Sequence, residues 1–261
     1  MSIFGQLLAV LVGLSVSLLG GGGAILAVPI FFYVLSFDAK EAVASSLAVV
    51  GVTSLAEAIS HWREGQARLR IALVFGIFAM AGAYLGAWLA VFFSSAAQLA
   101  LLAVMMVVVA FFMFRGNNEP AEDVEDAESE SLSIAQVTLG RAVGLAGLAV
   151  TVGALTGLVG VGGFLMVPAF VLVGQVPTKE ALGTSLLVIV MISAAGFVGY
   201  LAKVEIQWGL IALFTTLAVA GSFAGAYLVR FVPQVKLRKV FAVFLILVAI
   251  FILYQYLGEF F

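Results

Sequence analysis

The sequence predicts an all-α polytopic membrane protein made of two homologous, inverted repeats, each opening with a glycine-broken, re-entrant-like helix. Three observations carry this. Hydrophobic side chains make up 64% of the 261 residues and charged ones 10%, where soluble domains average about 45–50% and about 25%. The apolar residues fall into long continuous runs. The two halves of the chain match each other in register.

So little polar surface excludes an ordinary soluble enzyme, a disordered chain and a coiled coil. The mean hydropathy of +1.24 agrees. The formal net charge of −2 conceals an uneven distribution. Glu119, Glu122, Asp123, Glu125, Asp126, Glu128 and Glu130 lie in one segment, and the remaining chain is net basic. The basic residues are few and form no face, so no nucleic-acid partner is expected. There is no cysteine, which removes disulfides, thiolate metal sites and cysteine nucleophiles. No basic residue precedes the first apolar run, so it lacks a signal-peptide start and is expected to stay.

A helical span takes about 20 residues at about 1.5 Å each. The first run, 4–36, is too long for one span and is interrupted by Gly20-Gly21-Gly22-Gly23, with Pro29 six residues on. Four glycines in a row oppose a helix by roughly 1 kcal/mol each. The run therefore reads as two helical pieces joined by an elbow, the second over about 24–36. Runs 42–61, 70–93 and 96–114 each fit one span. The acidic stretch 116–135 reads as a solvated linker loop, since it has like charges and little to bury. Run 137–174 repeats the broken pattern with Gly160-Val161-Gly162-Gly163 and Pro168, and runs 181–202, 206–230 and 239–257 follow. Backbone groups in lipid must bond within their own segment, which makes these helices; barrel strands would be about ten residues long and alternate strictly. The organisation is a first transmembrane repeat at 1–115, the linker loop at 116–135 and a second repeat at 136–261.

An offset of 139 aligns the halves. Gly21, Gly23, Leu26, Val28, Pro29 and Phe31 fall on Gly160, Gly162, Leu165, Val167, Pro168 and Phe170. Lys40-Glu41-Ala42 falls on Lys179-Glu180-Ala181, and Ser46-Leu47 on Ser185-Leu186. Over residues 20–89, 22 of 70 positions are identical without a gap, which shared membrane composition alone does not place in register. Basic residues gather on the cytoplasmic side of membrane proteins. If each broken run is a hairpin, the halves are inverted, and Arg63, Arg68 and Arg70 share a side with Arg115, Arg141, Lys179, Arg230, Lys236, Arg238 and Lys239. Only Lys40 and Lys203 then lie opposite. Parallel halves would split the basic residues, so inversion is preferred, with both termini outside.

Broken helices at matching positions of inverted halves point to a transport site. A helix that starts inside the membrane offers unpaired N–H groups and a partial positive charge, and anions bind there. The substrate-binding candidates at the elbows are Gly21, Gly22, Gly23, Gly160, Gly162 and Gly163. Ser45, Ser46, Thr184 and Ser185, a few residues into the following helices, add hydroxyls that can donate to an anion, although back-bonding to the helix is their common alternative. Glu57 is the most interior acid, and His61 lies one turn on; together they are candidates for a proton relay or gate. Their alternative is an interfacial pair beside Trp62 and Arg63. Arg141 and Arg230 read as topology anchors, and Gly82/Gly86 with Gly221/Gly225 as close helix packing. No nucleotide-binding fingerprint, cofactor motif or metal cluster is present, so neither cofactor nor enzymatic activity is expected.

The run GGGGAILAVP at Gly20 to Pro29, Lys40-Glu41-Ala42 and Ser45-Ser46, with GVGGFLMVP at Gly160 to Pro168, Lys179-Glu180-Ala181 and Thr184-Ser185, resembles the sulfite exporter TauE/SafE family of integral membrane permeases. That resemblance implies a multi-pass protein of the bacterial inner membrane that moves sulfur-containing anions such as sulfite or organosulfonates. The reading it leads to is a secondary transporter exporting sulfite by alternating access; a small-anion channel is the alternative. The partners are then a small anion and the lipid bilayer, and assembly into a homo-oligomer stays open.

Overall fold

The structure, a computed structural model, describes residues 3–18, 22–65, 67–115, 139–160, 178–228 and 234–260. Its elements are helical, and the described residues contain no strand. Helix α1 is Ile3–Leu18. A composite segment follows: a 3-10 turn at Gly22–Leu26, the single α-turn α2 at Ala27–Pro29 and a π turn at Ile30–Val34. Then come α3 (Ala39–Arg63), α4 (Leu69–Leu89, extended by a 3-10 turn at Ala90–Phe92), α5 (Ser95–Arg115), α6 (Leu139–Val159), α7 (Thr178–Leu201), α8 (Trp208–Leu228) and α9 (Gln234–Phe260). Among the described residues five helices are long and apolar enough to cross a membrane: Ala39–Arg63, Leu69–Phe92, Ser95–Phe114, Glu180–Leu201 and Trp208–Leu228. The protein is a multi-pass membrane protein.

The piece after the first glycines is helical, as its apolar run predicts, over Ala24–Val34, but it changes pitch along its length. Pro29 has no N–H to donate, and the segment passes from tight to wide turns around it. Leu35 N–H reaches Ile30 C=O at 3.2 Å and Phe37 N–H reaches Phe31 C=O at 3.1 Å, closing the widened end. Ala24 to Val28 are buried, and Phe31 packs on Phe37 and Phe214 with ring centroids 5.4 and 4.7 Å apart.

The interior combines many small side chains with buried polar ones and a few large rings such as Phe31, Phe214 and Tyr200. The interior is rich in alanine, with Ala79, Ala83, Ala87 and Ala218 fully buried, whereas Phe78, Phe92, Phe111, Phe112 and Tyr254 face outward. Lipid is as apolar as leucine, so close backbone packing rather than the hydrophobic effect holds such helices together. Glycines supply that approach. Gly82 and Gly86 of α4 meet Val150 and Ala154 of α6, while Gly153 and Gly157 of α6 meet Ala79 and Ala83 of α4. Both rows advance together, so α4 and α6 are parallel. Gly221 and Gly225 of α8 meet Val10 and Leu14 of α1, and Gly13 meets Ala218, so α1 and α8 are parallel too.

Two further pairings fix the remaining directions. Gly51 of α3 meets Ser193 of α7, and Gly196 of α7 meets Leu47 of α3. These run in opposite senses, so α3 and α7 cross antiparallel. Along α4 and α7, Gly76 meets Met191 and Ala87 meets Gly199, so that pair is parallel. The turn after α3 and the start of α7 therefore share one face of the molecule. The end of α7 and the end of α4 share the other, where Lys203 Nζ donates to Trp88 C=O at 3.4 Å and Lys40 Nζ to Val91 C=O at 3.2 Å. Helix α4 packs along α7 extensively; α8 packs on α3 far less. Helices α5 and α9 pair with each other.

Candidate functional site

The second elbow begins at Gly160, which ends α6. Its φ of +80° lies in the left-handed region that glycine enters freely. Its N–H donates to Thr156 C=O at 2.7 Å, a helix C-cap. A Cβ there would sit 2.7 Å from Ser46 Oγ and 2.9 Å from Val28 Cγ2. The glycine of one half thus rests on the serine and the composite segment of the other. Ser46 is seven residues into α3, about 10 Å along it. Of the other elbow glycines, Gly22 and Gly23 open the 3-10 turn. Gly21, Gly162, Gly163 and Pro168 lie outside the described residues, as do the linker stretch 116–135 and the side chains of Arg141 and Arg230.

The candidate hydroxyls are buried: Ser45, Ser46, Thr184 and Ser185 are each at most 3% exposed. Ser46 Oγ donates to Val43 C=O at 2.7 Å, Ser185 Oγ to Leu182 C=O at 2.8 Å and Thr184 Oγ1 to Glu180 C=O at 2.6 Å. Their protons are committed to their own helices in this conformation, and their oxygens keep acceptor capacity. Thr184 uses that capacity, accepting the Arg68 N–H at 3.0 Å. Arg68 Nε also pairs with a Glu180 carboxylate oxygen, which ties the start of α4 to the start of α7.

A different set of polar atoms is open. Ser54 Oγ, Ser193 Oγ and Glu57 Oε1 are buried and have no hydrogen-bond partner among the described residues. A buried polar atom left unpaired costs about 1–3 kcal/mol, so such groups are rare without a reason. Ser54 and Glu57 are three residues apart on α3, hence on one face. Ser193 comes from α7 at the crossing, where Gly51 leaves room for it. His61 lies one turn beyond Glu57 at the half-buried end of α3. Sequence reasoning singled out Glu57 but not the serines, although Ser54 and Ser193 match at the 139 offset.

A second group that the sequence did not reveal holds the elbow. Gln98 Nε2 donates to Leu158 C=O at 2.6 Å and to Tyr200 Oη at 3.0 Å. The carbonyl belongs to the last turn of α6, which has no intrahelical donor left for it. Gln98 and Tyr200 are buried at 1% and 0% exposure. No group of three or more His, Asp or Glu that could hold a metal gathers among the described residues.

A bundle of apolar helices that buries Ser46, Thr53, Thr184 and Gln98 in its interior has the architecture of a multi-pass membrane protein. The chain belongs to the sulfite exporter TauE/SafE family, whose sequence model matches residues 6–252. It is 29% identical over 249 residues to a "Probable membrane transporter protein" of Xylella fastidiosa (strain Temecula1), covering 94% of this chain and 92% of that one. It is 25% identical over 243 residues to "Probable membrane transporter protein YdhB" of Bacillus subtilis (strain 168), covering 90% and 92%. A relative of the same description in Methanocaldococcus jannaschii is 26% identical over 198 residues, covering 73% and 69%. No solved structure matches the chain.

Proposed function

We propose that this transporter is a secondary carrier that exports a small sulfur-containing oxyanion, sulfite first, across the bacterial inner membrane. It does so by alternating access of two inverted repeats, 1–115 and 136–261, joined by the acidic loop 116–135.

The observation that carries the reading is the helix pairing. Exchange of the halves turns α1–α8 into α6–α4, with equivalent residues in contact: Gly221 on Val10 corresponds to Gly82 on Val150, and Gly225 on Leu14 to Gly86 on Ala154. The antiparallel α3–α7 crossing is what an axis in the membrane plane requires, and it argues against parallel halves. The offset is 140 through α1 and 139 thereafter, so the extra residue sits in the four-glycine stretch. Carriers of this plan bind substrate at the repeat interface and rock one half against the other. The unequal packing of α4–α7 and α8–α3 supports a conformation committed to one side.

The elbows supply the anion chemistry. Glycines let a ligand approach main-chain N–H groups closely, and the sequence supplies Gly21, Gly22, Gly23, Gly160, Gly162 and Gly163 for the two elbows. Ser45 adds a buried hydroxyl, and Ser46, Thr184 and Ser185 add theirs once their back-bonds are exchanged for the ligand. The family name favours sulfite. The chain has no ATP-binding motif, and the membrane potential suffices for export: an anion leaving a cell that is negative inside gains about 2.3 kcal/mol per charge per 100 mV.

Labelled-sulfite counterflow in proteoliposomes tests this, with sulfite, sulfate and taurine as competitors. Saturable exchange blocked by unlabelled sulfite is expected. Uptake that neither saturates nor shows counterflow would indicate a channel, and no uptake by folded protein would remove sulfite as the substrate.

A further inference from the structure

We propose that Ser54, Ser193 and Glu57 form the selecting centre of the carrier, a site that takes a small oxyanion together with one proton. This rests on the carrier reading and names a substrate property that reading leaves open.

The geometry is that of the α3–α7 crossing. A Cβ placed on Gly51 would lie 3.2 Å from Ser193 Cβ, so the glycine is what admits Ser193 to the α3 surface. Ser54 is three residues on from Gly51 and Glu57 three further, so Ser54 neighbours both, with Glu57 about 120° around α3 from Gly51. Ser54 and Ser193 are equivalents under the 139 offset, so they stand on either side of the axis that would relate the halves. Their environment sets them apart from the other hydroxyls. Ser46, Thr53, Thr184 and Ser185 all bond to carbonyls of their own helices. Ser54 Oγ, Ser193 Oγ and Glu57 Oε1 stay open although buried. A ligand at the crossing would complete all three.

The chemistry of the three groups defines that ligand. Two hydroxyls donate to anionic oxygens. A bare carboxylate beside them only accepts, and it repels an anion through a medium that screens poorly. One proton between Glu57 and the ligand removes the conflict, whichever of the two carries it. Weak-acid oxyanions such as sulfite keep a proton near neutrality, and sulfate does not. A buried acceptor built to meet a ligand proton rejects an analogue that lacks one. Gly196 stands at the position equivalent to Glu57, so the site carries a single such acceptor.

The test uses the full chain in proteoliposomes and labelled-sulfite counterflow. Wild type should be inhibited by unlabelled sulfite and at least tenfold less by sulfate. Glu57→Gln replaces the acceptor with an uncharged amide that also donates, so sulfate should gain about tenfold as a competitor while sulfite still competes. Glu57→Asp, which keeps the carboxyl, should keep the wild-type ranking. Ser54→Ala and Ser193→Ala should each weaken sulfite by about tenfold without changing the ranking. A wild type that sulfate inhibits as well as sulfite does, or a Glu57→Gln carrier that retains the wild-type ranking, overturns the inference. Absence of counterflow in wild type overturns the carrier reading instead.

Discussion

Gly160 and Gln98 show how single residues hold an irregular backbone inside an apolar bundle. At Gly160 a side chain would be forced into the left-handed region, at about 1 kcal/mol or more, and would crowd Ser46 and Val28. Gly160→Ala should therefore lower the thermal midpoint in detergent and reduce transport; an unchanged midpoint would count against a fixed elbow. Gln98→Leu leaves Leu158 C=O short of its amide donor and should cost about 1–3 kcal/mol, read as a lower midpoint. The two residues differed in legibility. Gly160 stands in a motif that recurs in the first half, so its importance could be read directly. Gln98 bonds to residues 60 and 102 positions away, and nothing in its neighbourhood in the sequence announces a partner. Ser54 and Ser193 lie between these cases, since their register is visible but the burial that makes them unusual is not.

At the scale of elements, composition predicted the spans well because a run of apolar residues in lipid has no alternative to a helix. The predicted run 70–93 became α4 with its 3-10 extension, and 181–202 became most of α7. The expected helical piece after the glycines is present at Ala24–Val34, and its change of pitch, which the sequence did not announce, falls around Pro29, which withholds a donor. Partner choice was only half legible. The Gly82/Gly86 and Gly221/Gly225 spacings predicted close packing, but not against which helix, and the answering glycines Gly13, Gly153 and Gly157 were not anticipated. Any Cβ on Gly82 or Gly153 would meet main-chain atoms of the partner helix. Gly82→Ala or Gly153→Ala should thus destabilise by about 1–3 kcal/mol. Gly144, which lies in α6 and faces open space, serves as the control, and Gly144→Ala should leave the midpoint unchanged or raise it slightly, since alanine favours the helix.

For the whole molecule, the helix directions put the turn at Glu64 and Gly65 on one face and that at Lys203 to Gln207 on the other. The chain has no cysteine, so single cysteines report cleanly. Gly65→Cys should be labelled by an impermeant maleimide only from the cytoplasmic side, and Glu205→Cys only from outside. Labelling of both from one side would rule out inverted halves. The pair Arg68–Glu180 lies on the face of the Glu64–Gly65 turn, at the starts of α4 and α7. Both side chains are about a third exposed, at 29% and 32%, so the pair contributes only about 0.2–1 kcal/mol. Glu180→Gln should therefore shift cysteine accessibility a few-fold rather than abolish transport.

On the carrier reading proposed above, that pair would also bear on which side the molecule rests. Were the halves identical, exchanging their conformations would give a state of equal energy facing the other way, and the populations would be even. Each mismatch between halves is then a term in the equilibrium. The positions equivalent to Arg68 and Glu180 hold Gln207 and Glu41, which cannot form an ion pair, so the charge term has no mirror image. Gln207→Arg would supply one and draw the two populations together. On that reading, the preference of the molecule for one orientation would lie in the positions where its two halves differ, Arg68 against Gln207 among them.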